Sequence, residues 1–327
     1  MRSTLKADCE IAEARRGYAV VGESWELSVE PDFPSETQGG RRLTEVLAAD
    51  PAAWLGREHR AGRTGTALLM KLLDAADALS VQIHPDDQYV GLKGDESGKP
   101  ESWYVVSAEP GAGVYLGIRE GVTRAQMAEG LAQGADVSGL LNFVPCEVGD
   151  FLRIDAGTAH AIGPGLVLVE PQRVVPGKRG VTYRYWDWNR RYAPDGTPSP
   201  AGEGRPLHVE HALAVTRWDA PPLARFLDDL RVRAGAPRCE GPPALEVFCG
   251  RDEGAIESEF LDVARLSGTG RLALPAWDAL LGVTVLAGSV EVDGCRARRG
   301  ETLVIAAEPH TRRARLQGAH AIVAAVR

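Results

Sequence analysis

The sequence predicts a mainly β protein with a small helical insert. Residues Leu79 to Ile83 alternate along the chain, and His84-Pro85-Asp86-Asp87 then ends the run in turn chemistry. Residues 149–162 form a second alternating strand, broken at Ala156-Gly157-Thr158 and delivering His160. Leu281 to Val292, followed by Asp293-Gly294, is a strand-turn signal. Residues 300–310 echo 149–160, shortened by a residue, so a second β unit of the same kind is expected near the C-terminus.

Taken in order, Tyr18 to Val29 reads as extended chain with Ser24, Glu26 and Ser28 on one polar face. Leu43 to Ala49 reads as a helix, with Asp50-Pro51 as a stop or restart, and Arg57 to Arg63 as a charged loop. Ala67 to Leu73 is apolar except for Lys71, for which a paired structural role is expected. Gly98-Lys99-Pro100 opens a strand rich in aromatic and β-branched residues that begins at Glu101. Thr123 caps a short helix, and Val137 to Phe143 continues it or starts another. Leu166 to Val169 is a buried strand ending in Glu170-Pro171-Gln172, followed by a basic loop to Gly180. His208 to Arg217 reads as a short helix, and strands are expected from Pro221 onward.

A chain of 327 residues favours two domains, assigned as 1–225 and 226–327. The net charge of −8 argues against a nucleic-acid partner, which calls for a basic face. Five cysteines without CxxC spacing read as reduced thiols of a cytoplasmic protein. The N-terminus lacks an apolar signal-peptide core, and no apolar run reaches membrane-spanning length, so no membrane partner is expected.

The chemistry concentrates at three strand mouths. Ser80, Gln82 and His84 share one strand face, which is costly in a dry core and sensible beside a wet cavity or a metal. Gln82, His84, Glu101 and His160 together offer two imidazoles, a carboxylate and an amide oxygen, a set suited to zinc and close to a non-haem iron site. His59, His208, His211 and His320 have no motif around them and receive no role. Asp86 and Asp87 read as turn caps.

At these residues the chain resembles the type I mannose-6-phosphate isomerases of the shorter bacterial form, members of the cupin superfamily. Gly149, Gly157 and His160 match the spacing of the second cupin motif, with Asp155 where proline is usual. Gln82 stands where other cupins carry a histidine, a variation that this family shares. Residues 22–28 and 182–190 also resemble that family. The resemblance implies two cupin-like β-barrels (jelly rolls): a metal-binding catalytic unit at 1–225, and a metal-free structural one at 226–327, where His310 has no companion ligands. It implies one zinc per chain on Gln82, His84, Glu101 and His160. It also implies a small sugar-phosphate substrate, with mannose 6-phosphate and fructose 6-phosphate interconverting through a cis-enediolate.

Arg184 stands where this family has a catalytic arginine, and could hold a phosphate bidentately or stabilise the enediolate. Lys99, two residues from Glu101, points toward the same cavity as a cation for sugar oxygens or phosphate. Ser80 joins Lys99 and Arg184 as a substrate contact. Glu170 is a proton-transfer candidate, and a lysine or a metal-bound water would serve equally on this reading. The expected assembly is a monomer or homodimer. Two competing readings are a cupin non-haem iron dioxygenase, which leaves Lys99 and Arg184 without purpose, and a non-catalytic sugar-phosphate-binding cupin.

Overall fold

The computed structural model describes residues 22–194, 196–307 and 312–327. The strands of the first half are β1 (Glu23–Leu27), β2 (Leu68–Ala75), β3 (Val81–Ile83), β4 (Glu96–Ser97), β5 (Glu101–Ala108), β6 (Gly113–Ile118), β7 (Leu141–Pro145), β8 (Asp150–Ile154), β9 (His160–Ile162), β10 (Leu166–Arg173), β11 (Arg179–Gly180), β12 (Tyr183–Trp186) and β13 (Arg231–Arg233). They form a six-stranded sheet, β1-β2-β10-β5-β8-β13, and a five-stranded sheet, β12-β3-β9-β6-β7. Strands β4 and β11 make a separate parallel pair. The two large sheets face each other across a shared core that includes Leu73, Trp103 and Leu168 from one and Val114, Leu116 and Ile162 from the other.

The C-terminal strands are β14 (Ala244–Gly250), β15 (Ile256–Glu257), β16 (Leu261–Ala273), β17 (Leu281–Val292), β18 (Cys295–Arg298), β19 (Thr302–Ile305) and β20 (Arg313–Val326). They form one seven-stranded sheet. Register shifts at Gly268/Gly270 and around Ala287 let the long strands bend over their own apolar core. The architecture is mainly β and of the cupin jelly-roll class, with open sheets in place of the expected closed barrels.

The outer face of the six-stranded sheet is also covered. Leu68, Met70, Leu72, Tyr104, Phe151 and Val169 pack against Phe248, Leu261, Val263, Ile322 and Val326 of the second half. Both faces of β2 are therefore buried, which explains why its sequence runs apolar without alternation. Tyr104 fastens the contact: its hydroxyl lies 2.9 Å from His320 Nε2 and accepts from Arg265 at 3.2 Å. Asp262, fully buried, accepts from Arg57 at 2.7 Å and from Arg327 at 2.6 Å.

Several local expectations change. Arg57–Arg60 is a helical turn and not loop. Residues 137–143 give one 3-10 turn and then the start of β7, which pairs along β6 at the edge of the five-stranded sheet. Leu223–Leu230, a stretch expected to favour strands, is an amphipathic helix. It crosses position 225/226, and the strand after it, β13, pairs with β8 of the first half. The helix at Arg124–Ala132 has a full capping box between Thr123 and Gln126. Residues 1–21, with Cys9 and the start of the Tyr18 stretch, lie outside the described residues, as does His310 with its neighbours. The four described cysteines, Cys146, Cys239, Cys249 and Cys295, are free. Among the described residues, no helix is long and apolar enough to cross a membrane.

Candidate metal centre

The site is built from cross-strand rows. On the six-stranded sheet, Trp25, Lys71 and Glu170 stand side by side on β1, β2 and β10. The β10–β5 register pairs Val169 with Tyr104 and Gln172 with Glu101, and so sets Glu170 opposite Trp103. On the facing sheet, Arg184, Gln82 and His160 make a second row across β12, β3 and β9. His84 follows β3, where Gly157 N–H donates to its carbonyl. The turn before His160 depends on Gly157 at φ +77°, where a Cβ would lie 2.7 Å from the Val215 carbonyl oxygen.

His84, Glu101 and His160 converge, all three buried. Their ligand atoms lie within 4.8 Å of one another. His84 Nε2 is 3.2 Å from Glu101 Oε2, and His160 Nε2 is 3.3 Å from Glu101 Oε1. Each imidazole uses Nδ1 elsewhere: His84 on the Val181 carbonyl at 3.0 Å and His160 on the Thr158 carbonyl at 2.8 Å. That fixes the proton on Nδ1 and leaves Nε2 as a lone pair. Burial, followed by Lys99, lowers the His84 pKa. Burial outweighs Glu101 at His160 and takes it to about 4. Burial alone would raise Glu101, but His84 in its protonated form and Lys99 hold it well below the usual carboxylate range.

Two Nε2 lone pairs and a carboxylate thus face one point, offset by the Lys99 ammonium on one side only, 3.6 Å from Glu101, and all three donors suit a divalent cation. Tetrahedral zinc with bonds of about 2.0 Å separates neighbouring ligands by about 3.3 Å, close to the distances between these donors. The residues present fit a divalent ion. Gln82 lines the same cavity, and its amide nitrogen donates to Ser80 Oγ at 3.2 Å, which turns its oxygen into the unused acceptor.

Next to this cluster lies a buried charge pair. Lys71 Nζ is 3.6 Å from Glu170 and 3.4 Å from Glu23, and sits 4.7 Å from the centre of the Trp25 ring. Burial alone would lower its pKa, but Glu170 and Glu23 raise it, so Lys71 stays charged. Burial first, and the negative charge of Glu101 second, push Glu170 up to about 7 against the pull of Lys71. Trp103 Nε1 donates to Glu170 at 3.0 Å. Lys99 Nζ lies 3.6 Å from Glu101. Arg184 donates from Nε to Ser80 Oγ at 3.2 Å and from a terminal nitrogen to the Pro206 carbonyl at 3.1 Å. Asp86 and Asp87 cap the turn by accepting from Gln88 and Gly98 backbone N–H groups.

These side chains surround a cavity of about 60 Å³ that Ser80, Gln82, Lys99, Glu101, His160 and Glu170 line together. Arg184 adjoins it through Ser80. Sequence reasoning passed over Glu23, Trp103 and Gln172, and kept Lys71 for structure. Counting by two from Glu101 and from Glu170 reaches Trp103 and Gln172, and a lone cation inside an apolar strand marks Lys71. A larger cavity of about 890 Å³ lies between the halves, behind Asp155–Thr158. Its charged groups are partly paired with one another, as Arg153 is with Asp155 at 2.7 Å, and among the described residues no metal-ligand cluster lies there. The convergent donors mark the smaller cavity as the chemical one.

Fold and site define a cupin-type enzyme with a His/Glu/His cluster able to hold a metal ion. Residues 9–100 match the phosphomannose isomerase type I catalytic domain. The mannose-6-phosphate isomerase of Streptococcus mutans is 30% identical over 293 residues, spanning 87% of this chain and 82% of that protein. The chain belongs to the type I mannose-6-phosphate isomerase family. The crystal structure of the Bacillus subtilis mannose 6-phosphate isomerase superposes with a TM-score of 0.69 at 24% identity, over 95% of this chain and 93% of that one. A variant of the Salmonella typhimurium phosphomannose isomerase gives 0.66 at 15% identity, over 93% and 91%.

Proposed function

We propose that this enzyme interconverts mannose 6-phosphate and fructose 6-phosphate, with one zinc per chain held by Gln82, His84, Glu101 and His160. The observation that carries the reading is the convergence of two Nε2 lone pairs and a carboxylate next to a second, protonatable carboxylate. A bound zinc would supply Lewis acidity beside the C1 and C2 oxygens of the open-chain sugar. The chain's own groups do the rest. Glu170, with a pKa near neutrality, is the base that carries a proton between C2 and C1. Lys71 keeps its positive charge beside that carboxylate, and Trp103 holds it in place. Lys99 and Arg184 face the negative charge that develops on the cis-enediolate. Ser80 and Arg184, already hydrogen-bonded to each other, form with Lys99 the substrate-binding edge, and a guanidinium suits a phosphate. The enzyme is expected to work as a monomer or homodimer in the cytoplasm.

The test is a coupled assay for fructose 6-phosphate formed from mannose 6-phosphate, run before chelation, after chelation and after adding zinc back. Turnover lost on chelation and restored by zinc supports the reading. Absence of turnover in protein carrying one zinc per chain would sink it for this substrate.

A further inference from the structure

Glu101 is held from behind by a residue that no ligand set includes. Gln172 on β10 lies directly across from Glu101 on β5. It is 1% exposed, and its Nε2 donates to Glu101 Oε2 at 2.6 Å. An ionised carboxylate can only accept, so the amide must present its nitrogen to Glu101. The amide oxygen is then buried with no partner among the described residues. Leaving a buried acceptor unsatisfied costs on the order of 1–3 kcal/mol. A Gln that served only to fill space would be better replaced by Met or Leu, which carry no such penalty. The same register gives Glu170 its donor from Trp103, so the β5–β10 ladder fixes both acids through neighbouring pairs.

We propose that Gln172 is a positioning residue of the metal centre, orienting Glu101 so that its carboxylate meets the ion together with His84 and His160. This rests on the metal reading above and concerns affinity for the ion, independent of which sugar is turned over. Without the Gln172 donor, Oε2 of Glu101 is free to rotate toward the Lys99 ammonium, 3.6 Å away, and the acid is lost to the ion as a fixed ligand. Partners of this kind are worth about 10–100-fold in metal affinity.

The experiment measures zinc affinity by competition with a chromogenic chelator in the full chain and in Gln172→Met, Gln172→Asn and Val167→Ala. The melting temperature of each metal-free protein is recorded alongside. Gln172→Met keeps the side-chain length and removes the donor, and is expected to weaken zinc binding about 10–100-fold. Val167→Ala truncates a core side chain of the same strand on the face away from the cavity, and is expected to leave zinc affinity within about threefold. Parental affinity in Gln172→Met overturns the proposal. Equal losses in Gln172→Met and Val167→Ala also overturn it, because the ladder is then only structural. If Gln172→Met does not fold, Gln172→Asn, whose shorter arm withdraws the amide from Glu101, decides in the same way. A parent that binds no zinc overturns the metal centre itself, a result distinct from a parent whose affinity ignores Gln172.

Discussion

Two carboxylates in one cavity are kept in different protonation regimes by what stands beside each. Glu101 has His84, Lys99 and the Gln172 amide around it and stays ionised. Glu170, more weakly compensated for its burial, titrates at about 7. If it is the base, Glu170→Gln should lower turnover by about 10²–10⁴-fold with bound zinc unchanged, measured by metal analysis on the purified variant. The parent's rate should fall as pH drops through the Glu170 pKa, because only the carboxylate accepts a proton. A bound dication favours the carboxylate, so with zinc the acid limb is expected at or below pH 7. Arg184→Ala should cut turnover sharply while metal content and melting temperature hold. Unchanged turnover would remove Arg184 from the mechanism. His84, Glu101 and His160, which the fold brings together, stood out in the sequence because each sits at a strand mouth in a motif. Period-two alternation puts Trp103 and Gln172 on the same strand faces, but their pairing with Glu170 and Glu101 lies in the β5–β10 register, which no local pattern encodes.

At the level of single elements, local chemistry was most readable where it acts on its own backbone. Thr123 and Gln126 satisfy the first N–H groups of the Arg124–Ala132 helix reciprocally. Thr123→Ala should therefore cost about 1 kcal/mol, seen as a lower melting temperature with turnover intact. That helix shows almost no amphipathic contrast and buries only Met127, so its cap matters more than its packing. The amphipathic Leu223–Leu230 helix was hidden by its neighbours, as Pro221-Pro222 and the strands beyond dominate the composition there. Residues 137–143 were read as helix because they follow one, and those from Leu141 became β7 because the edge of the five-stranded sheet offered β6 as a hydrogen-bonding partner. Lys71 looked like a structural pair. It is one, and it also lines the site, because the row on β1, β2 and β10 places both its partners at the cavity.

Across the whole molecule, the seam between the halves carries titratable groups of its own. We propose that the chain works as two units, a catalytic one corresponding to 1–225 and a C-terminal one corresponding to 226–327, with the pairing of β13 carrying the first unit a few residues further. At the seam, burial first and Arg265 second lower the His320 pKa to about 3. An unfolded histidine titrates near 6.5, so between these values the unfolded chain binds a proton that the folded one refuses. Stability from this group is complete above pH 6.5 and is lost as pH falls toward 3, at up to about 1.4 kcal/mol per pH unit. His320→Gln should flatten the fall in melting temperature between pH 6.5 and 4. An unchanged slope would show that other groups govern acid unfolding. The position of the two acids in the six-stranded sheet carries a consequence for hydrogen exchange. Glu101 and Glu170 stand on β5 and β10, the two central strands, whereas Arg184 stands on β12, the outermost strand of the facing sheet. Backbone amides of β5 and β10 should exchange with deuterium among the slowest in the protein, and those of β12 much faster. The two acids then stand on the most rigid wall of the cavity, and Arg184 faces them from a sheet edge that the 206–208 segment covers.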